Sequence, residues 1–321
     1  MKASTRTTYG PPDVITVKEV EKPTPKANEI LVRVHATTVN RTDCGALWGQ
    51  PFVYRFFIGL FKPRNSITGT DFAGIVEAVG DQVSEFKIGD RVFGFDDNTL
   101  PSHAEYMVID YKKPITKIPN DFTYEQAAAS AEAAHYAYNF LNKVKLKPGD
   151  KVLVNGGTGG IGSAAIQLLK SMDIFVTAVC HSQYDDRVRA LGTDRIIHYD
   201  KEDFTQDYEK YDFVFDAVGK SSFKPCTRIL KDNGIYISSE LGPSAENLYL
   251  PLLTSIKGGK KVVFPMPKDI SKSLAYVADL EKKGKFKPLI DRTYSLDEIK
   301  EAFAYVNSGQ KIGNVIIKIS N

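Results

Sequence analysis

Residues 151–170, Lys-Val-Leu-Val-Asn-Gly-Gly-Thr-Gly-Gly-Ile-Gly-Ser-Ala-Ala-Ile-Gln-Leu-Leu-Lys, constrain this chain more than any other stretch. An apolar run at 152–154 ends in a glycine cluster in which Gly156, Gly159 and Gly162 stand three apart. A helix-like segment follows at once. A strand, a tight glycine turn and a helix N-terminus form a seat for a pyrophosphate. The free N–H groups and positive dipole end of the helix face the anion, and glycine lets the backbone come close. An ordinary βα turn is the plainer reading of a glycine triplet. The flanking strand and helix favour a dinucleotide site.

The chain has 321 residues, enough for two domains. A net charge of +3, from 42 basic and 39 acidic residues interspersed along the chain, argues against a nucleic-acid surface. Cys44, Cys180 and Cys226 lie far apart, without metal spacing or a disulfide framework, which fits a reducing cytoplasm. The N-terminus lacks an apolar targeting core. No run reaches the ~18 apolar residues of a membrane helix.

Residues 1 to 120 read as β-rich, with strands expected at 29–36, 72–79, 90–95 and 104–109. At Thr123 a helix opens, with Gln126 completing a capping box. After a turn at Lys147-Pro-Gly-Asp150, strands are expected at 152–155, 175–180, 195–198, 213–216, 234–238 and 260–264. Helices at 162–171, 185–191 and 223–230 alternate with them, which implies a parallel sheet with right-handed crossovers. Helices at 271–283 and 295–308 follow, the second with a Ser295–Glu298 capping box. A closing apolar strand at 314–319 is expected to return to the first domain, because the βαβ series has ended.

Nine motifs, taken in order and spacing, resemble the medium-chain dehydrogenase/reductase superfamily, specifically its zinc-free quinone oxidoreductase branch. They are Tyr9-Gly-Pro-Pro-Asp-Val14, Val39-Asn-Arg-Thr-Asp43, Gly69-Thr-Asp-Phe-Ala-Gly74, Gly89-Asp-Arg-Val-Phe-Gly94, Lys147-Pro-Gly-Asp150, the glycine turn, Leu191-Gly-Thr-Asp194, Phe215-Asp-Ala-Val-Gly219 and Gly313-Asn-Val-Ile-Ile317. The resemblance covers nearly the whole length. It implies an α/β protein: a GroES-like β-rich catalytic domain from residues 1–122 and 266–321, and a doubly wound, parallel-sheet Rossmann domain at 123–265. The active site is expected in the cleft between them.

Zinc-dependent members hold the catalytic metal with a Cys and a His-Glu pair. The matching positions here carry Asn40 and Thr70-Asp71, and three cysteines cannot form a four-cysteine structural lobe. No metal is expected. Without a Lewis acid, hydride delivery to a quinone or an α,β-unsaturated carbonyl is easier than alcohol oxidation. By resemblance, Asn40 and Asp43 contact the nicotinamide ribose or the substrate oxygen. An Asn can donate to a developing oxyanion; the alternative is that both residues cap a loop. Trp48, Phe52 and Tyr54, with Phe56, Phe57 and Phe61, form an apolar substrate wall or else plain core or a mobile lid. Tyr54 is the candidate proton donor, with solvent as the other source.

The pyrophosphate seat comprises Gly156, Thr158, Gly159, Gly160, Ile161 and Gly162. NAD-specific proteins place an acid after the second Rossmann strand. Here that strand ends Ala178-Val-Cys-His-Ser-Gln-Tyr184, and the next acids, Asp185 and Asp186, open a helix. This leaves room for a 2′-phosphate, with His181, Ser182 and Gln183 as donors and Tyr199 resembling a Tyr of NADPH-using relatives. The basic residue often found near Gln183 in the family is missing. NADPH is expected ahead of NADH. Ala217, Val218, Leu241 and Gly242 are expected beside the cofactor, and Phe264 at its carboxamide. Tyr136 stands where the family carries Thr, and Asn314 where many relatives carry Lys.

The leading expectation is an NADPH-dependent reductase of quinones or α,β-unsaturated carbonyls. One alternative is an enoyl-thioester reductase, with Lys257, Lys260 and Lys261 as a basic entrance. Another is a non-catalytic NADPH-sensing binding protein. The strand at 260–264 is expected at the sheet edge, where pairing with a second copy would give a homodimer.

Overall fold

The alternation that starts at Glu29 continues to Val39, three residues past its expected end, because a second partner strand buries the extension. The computed structural model describes residues 1–266 and 268–319. The early strands are β1 (Lys2–Thr5), β2 (Thr16–Glu19), β3 (Glu29–Val39), β4 (Asp71–Val79), β5 (Arg91–Phe95), β6 (Tyr106–Asp110) and β7 (Ile115–Lys117). The middle strands are β8 (Lys151–Asn155), β9 (Phe175–Cys180), β10 (Arg195–His198), β11 (Tyr211–Asp216), β12 (Leu230–Ser238) and β13 (Lys261–Val263). The last two are β14 (Ile290–Ser295) and β15 (Asn314–Lys318). Helices are α1 (Arg41–Trp48), α2 (Arg55–Ile58), α3 (Tyr124–Ala129), α4 (Glu132–Asn142), α5 (Gly160–Lys170), α6 (Asp185–Arg189), α7 (Phe223–Cys226), α8 (Glu246–Lys257), α9 (Ile270–Lys282) and α10 (Ile299–Asn307).

The chain divides into two compact units. The first comprises residues 1–132, 269–283 and 287–319. Its main sheet runs β14-β15-β3-β4-β5-β7, with β6 also paired to β3. The closing strand returns to this unit as expected, with Val315 opposite Val39 and Ile317 opposite Thr37. Both capping boxes read from the sequence form, Thr123 with Gln126 and Ser295 with Glu298. Phe72, Val32, Val76, Val92 and Met107 fill one side of the core, each burial contributing roughly 1.5–3 kcal/mol.

The second unit comprises residues 133–266, 268 and 284–286. Its sheet is wholly parallel, in the order β10-β9-β8-β11-β12-β13. This is the doubly wound order, whose strand direction of growth reverses between β8 and β11. β13 lies at the sheet edge, as expected. The helix expected at 223–230 is only the short α7, because Leu230 already pairs with Tyr211 as the start of β12. α8 escaped the sequence reading. It carries Pro251 inside, and Leu248, Leu252, Leu253 and Ile256 on it are exposed rather than forming a buried face. Among the described residues, no helix is long and apolar enough to cross a membrane.

Candidate active site

The glycine turn leaves β8 at the point where the sheet order reverses. Gly156 has φ +87°, and a Cβ there would stand 2.9 Å from the Val218 side chain. A Cβ on Gly162 would stand 2.1 Å from the Gly156 carbonyl oxygen. Glycine at 162 therefore lets α5 sit against the turn. Gly159 is the N-cap of α5 and supplies no side-chain cap. The amides of the first helical turn, at Gly160, Ile161 and Gly162, are left to an external acceptor. A dinucleotide pyrophosphate fits this cradle, with Thr158 on the turn before it.

Asp216, at the end of β11, organises the neighbouring loop. Its Oδ1 accepts from Asn155 Nδ2 (3.0 Å), Val218 N–H (3.3 Å) and Gly219 N–H (2.9 Å). Its Oδ2 accepts from Ser221 N–H (3.3 Å) and the Tyr236 hydroxyl (2.9 Å). Ala217 and Val218 are thus held beside the glycine turn by a carboxylate that is fully buried. Leu241 is partly exposed, and Gly242 takes φ +74°, with the Asn247 amide donating to the Leu241 carbonyl (3.0 Å). Phe264 is half-buried just beyond β13, and its carbonyl accepts from Met266 N–H (3.0 Å).

The strand end at His181–Gln183 differs from the expectation. His198 pairs with Cys180 across β9 and β10, so the residues after each strand emerge side by side. Asp200 accepts from the Ser182 amide (2.8 Å) and the Ser182 hydroxyl (2.6 Å), and His181 Nδ1 is 3.9 Å from it. The Ser182 hydroxyl and amide hold its carboxyl down at about 2. The strand end is therefore not free of acid: one arrives from the next strand. Gln183 N–H donates to His181 Nδ1 (3.2 Å), and the exposed Tyr199 ring meets His181 edge-on at 5.6 Å.

In the first unit, Asn40 and Asp43 form a reciprocal capping box at the start of α1. The Asp43 amide donates to Asn40 Oδ1 (2.8 Å), and the Asn40 amide donates to Asp43 Oδ2 (3.1 Å). Asn40 Nδ2 faces Thr70 Oγ1 (2.9 Å), Thr38 Oγ1 (3.3 Å) and Asp71 Oδ2 (3.3 Å). Both residues are buried. The side-chain nitrogen of Asn40 thus donates into a buried network, while its Oδ1 caps α1. Asp71 is the hub, accepting also from Thr38 N–H (2.7 Å) and Thr37 Oγ1 (3.1 Å). Burial pushes its carboxyl up to about 6 and raises that of Asp43, which Asp71 pushes further. Glu132 accepts from Thr42 Oγ1 (3.0 Å), and burial pushes it up to about 7.

Tyr54 donates its hydroxyl to the Asp97 carbonyl, and burial raises its pKa. Phe52, Phe56, Phe57 and Phe61 are exposed, so they are not core. Asn314 is buried and donates to the Leu289 carbonyl (3.0 Å). Lys260, considered for the basic entrance of a thioester carrier, donates to the Thr227 carbonyl (2.7 Å).

Comparison with known proteins agrees with this geometry. Residues 26–120 match the alcohol dehydrogenase GroES-like domain, and residues 191–317 match zinc-binding dehydrogenase. A match of residues 111–224 to aminotransferase class I and II starts in one compact unit and ends inside the other, so it follows no structural boundary. The 2-methylene-furan-3-one reductase of Solanum lycopersicum is 30% identical, over 99% of this chain and 79% of its own. The chloroplast envelope quinone oxidoreductase homolog of Arabidopsis thaliana is 30% identical, over 94% and 92%. The solved quinone oxidoreductase from Coxiella burnetii superposes with a TM-score of 0.87 at 27% identity, over 100% of this chain and 99% of that one. A glycine cradle at the reversal point of a doubly wound sheet, in a chain that also carries a GroES-like unit, is the architecture of a nicotinamide-dependent oxidoreductase acting on small molecules. The chain belongs to the medium-chain dehydrogenase/reductase superfamily, in its quinone oxidoreductase branch.

Proposed function

We propose that the protein reduces a quinone or an α,β-unsaturated carbonyl, without a catalytic zinc. The carrying observation is the buried Asn40–Thr70–Asp71 cluster. It occupies the positions where zinc-dependent relatives hold metal, yet it satisfies itself with hydrogen bonds and offers neither thiolate nor imidazole. Nearby groups do not replace them. Burial pushes the Cys44 thiol up to about 12. His103 uses both ring nitrogens, on Thr68 Oγ1 and the Thr38 carbonyl, each at 2.8 Å. Among the described residues, no group of three His, Cys, Asp or Glu is placed to hold a metal.

When bound, a reduced nicotinamide would supply the hydride. The first-turn amides of α5 would hold its pyrophosphate, and Asp216 fixes the loop at 217–221 next to the glycine turn. The negative charge that develops on the acceptor oxygen is quenched by a proton, from Tyr54 or from solvent. Donation by Tyr54 requires its hydroxyl to leave the Asp97 carbonyl. The names of the Solanum and Arabidopsis relatives support the acceptor class. The expectation of NADPH rested on an acid-free strand end, on donors at 181–183 and on Tyr199; Asp200 removes the first of these and occupies the Ser182 donors. The exposed edge of β13 and the exposed apolar residues of α8 support a homodimer. Three free, buried cysteines fit a reducing compartment such as the cytoplasm.

A panel of quinones, enals and enones with NADH and NADPH tests the reading, together with metal analysis. Turnover of at least one class with negligible zinc is expected. A protein that binds dinucleotide but reduces none of the panel would not be this enzyme, and one zinc per chain with chelator-sensitive turnover would overturn the zinc-free route. Light scattering showing a monomer would refute the dimer.

A further inference from the structure

We infer that Asp200 is a specificity residue that admits the free ribose 2′-hydroxyl of NADH and disfavours the 2′-phosphate of NADPH. The inference rests on the reading of the glycine turn as a dinucleotide site, and it reverses the cofactor preference that the strand end alone suggests.

A 2′-phosphate at the end of β9 would need donors from the loop 181–183. The Ser182 amide and hydroxyl are the two best placed, and both already donate to Asp200, at 2.8 and 2.6 Å. The carboxylate thus sits where a phosphate oxygen would, and it makes the two bonds the phosphate would make. The backbone N–H of Gln183 is engaged as well, donating to His181 Nδ1 at 3.2 Å. Among the described residues, the ion-pair partner of Asp200 is His181, at 3.9 Å, and no Arg or Lys pairs with it. To bind there, a phosphate must displace one carboxylate and remain beside it, and two anions in one pocket repel.

A ribose diol meets the opposite situation. Each carboxylate oxygen has two acceptor sites, so about two remain after Ser182 has donated. A 2′-hydroxyl donates to one of them, which is the role that an acid at the end of the second strand plays in NAD-binding Rossmann sheets. The unusual feature is the origin of the acid. It comes from the end of β10, placed by the His198–Cys180 register.

The experiment is titration of the full chain with NADH and with NADPH, followed by fluorescence or calorimetry with no acceptor present. Unmodified protein, Asp200→Asn and Asp200→Thr are compared. The unmodified protein is expected to bind NADH about tenfold or more tighter than NADPH, and both variants to shift that ratio toward NADPH by about tenfold. Equal or tighter NADPH binding by the unmodified protein overturns the inference, as does a ratio that neither variant moves. If one variant fails to fold, the other variant and the unmodified ratio decide. Because no acceptor is used, failure of the quinone or enone reading leaves this result intact. Binding of neither dinucleotide overturns the inference together with the cofactor site.

Discussion

Asn155 donates to Asp216 across 3.0 Å, joining the ends of β8 and β11 where the order of the parallel sheet reverses. Both side chains are buried, and Asp216 also carries the loop amides of Val218, Gly219 and Ser221. Asp216→Ala leaves those donors unpaired inside the unit. It is expected to destabilise the protein by about 3–5 kcal/mol, and Asp216→Asn by less, since Asn retains one acceptor oxygen. Urea unfolding measures both. At temperatures where Asp216→Asn stays folded, its dinucleotide affinity is expected to fall while its secondary structure is unchanged.

The contact between Gly162 and Gly156 sets a second test. Gly162→Ala places a Cβ 2.1 Å from a backbone carbonyl oxygen, which no rotamer change relieves. A loss of about 1–3 kcal/mol is expected, with weaker dinucleotide binding. Gly159→Ala is the control. Its φ of −71° suits any residue, and its Cβ would meet the Gly156 oxygen at an ordinary 3.4 Å. Its thermal midpoint is expected to stay close to that of the unmodified protein.

Tyr54→Phe separates acid catalysis from packing. The hydroxyl is engaged with the Asp97 carbonyl, so solvent is expected to deliver the proton and kcat to change by less than about tenfold. A hundredfold fall in kcat with KM unchanged would instead assign proton donation to Tyr54.

Glu281 governs a pH effect on stability. It is 4% exposed on α9 with both carboxylate oxygens buried, and the Ser130 side chain nearby offsets that burial only in part. Burial pushes its pKa up to about 8 from an ordinary 4.5. The folded state therefore binds this proton more tightly than the unfolded chain. The resulting stability is complete below about 4.5 and lost as pH rises through about 8. Burial acts in the same direction on Glu132 and Asp71, raised to about 7 and about 6. His103, lowered to about 4 by burial, acts in the opposite direction on the acid side. Glu281→Gln cannot ionise. Relative to the unmodified protein, it is expected to gain about 1–3 kcal/mol near pH 8.5 and almost nothing at pH 5, measured by denaturant unfolding.

Local chemistry made much of this protein legible. The 151–170 stretch declares a strand, a turn and a helix because its glycines, apolar run and helix formers all act within twenty residues. The Thr123–Gln126 and Ser295–Glu298 boxes are legible for the same reason: each bonds within one turn. The closing strand was readable by exclusion, since the βαβ series had ended before residue 314. α8 was not legible, because Leu248, Leu252, Leu253 and Ile256 are exposed and Leu250 alone does not mark a buried stripe.

The sequence by itself determined the two-part α/β organisation, the parallel sheet with its glycine turn, and the loss of Cys and His from positions 40, 70 and 71. Those properties depend on residue type and short spacing. Only the tertiary structure decided what the polar residues do. In sequence Asn40 reads either as a donor to ribose or substrate or as a loop cap; the fold shows that its side-chain nitrogen is shared with Thr70 and Asp71, about thirty residues away. The end of β9 reads as free of acid until the parallel register of β9 and β10 brings Asp200 onto Ser182. Hydrogen bonds and burial act through space, and strand pairing joins positions that no local pattern relates.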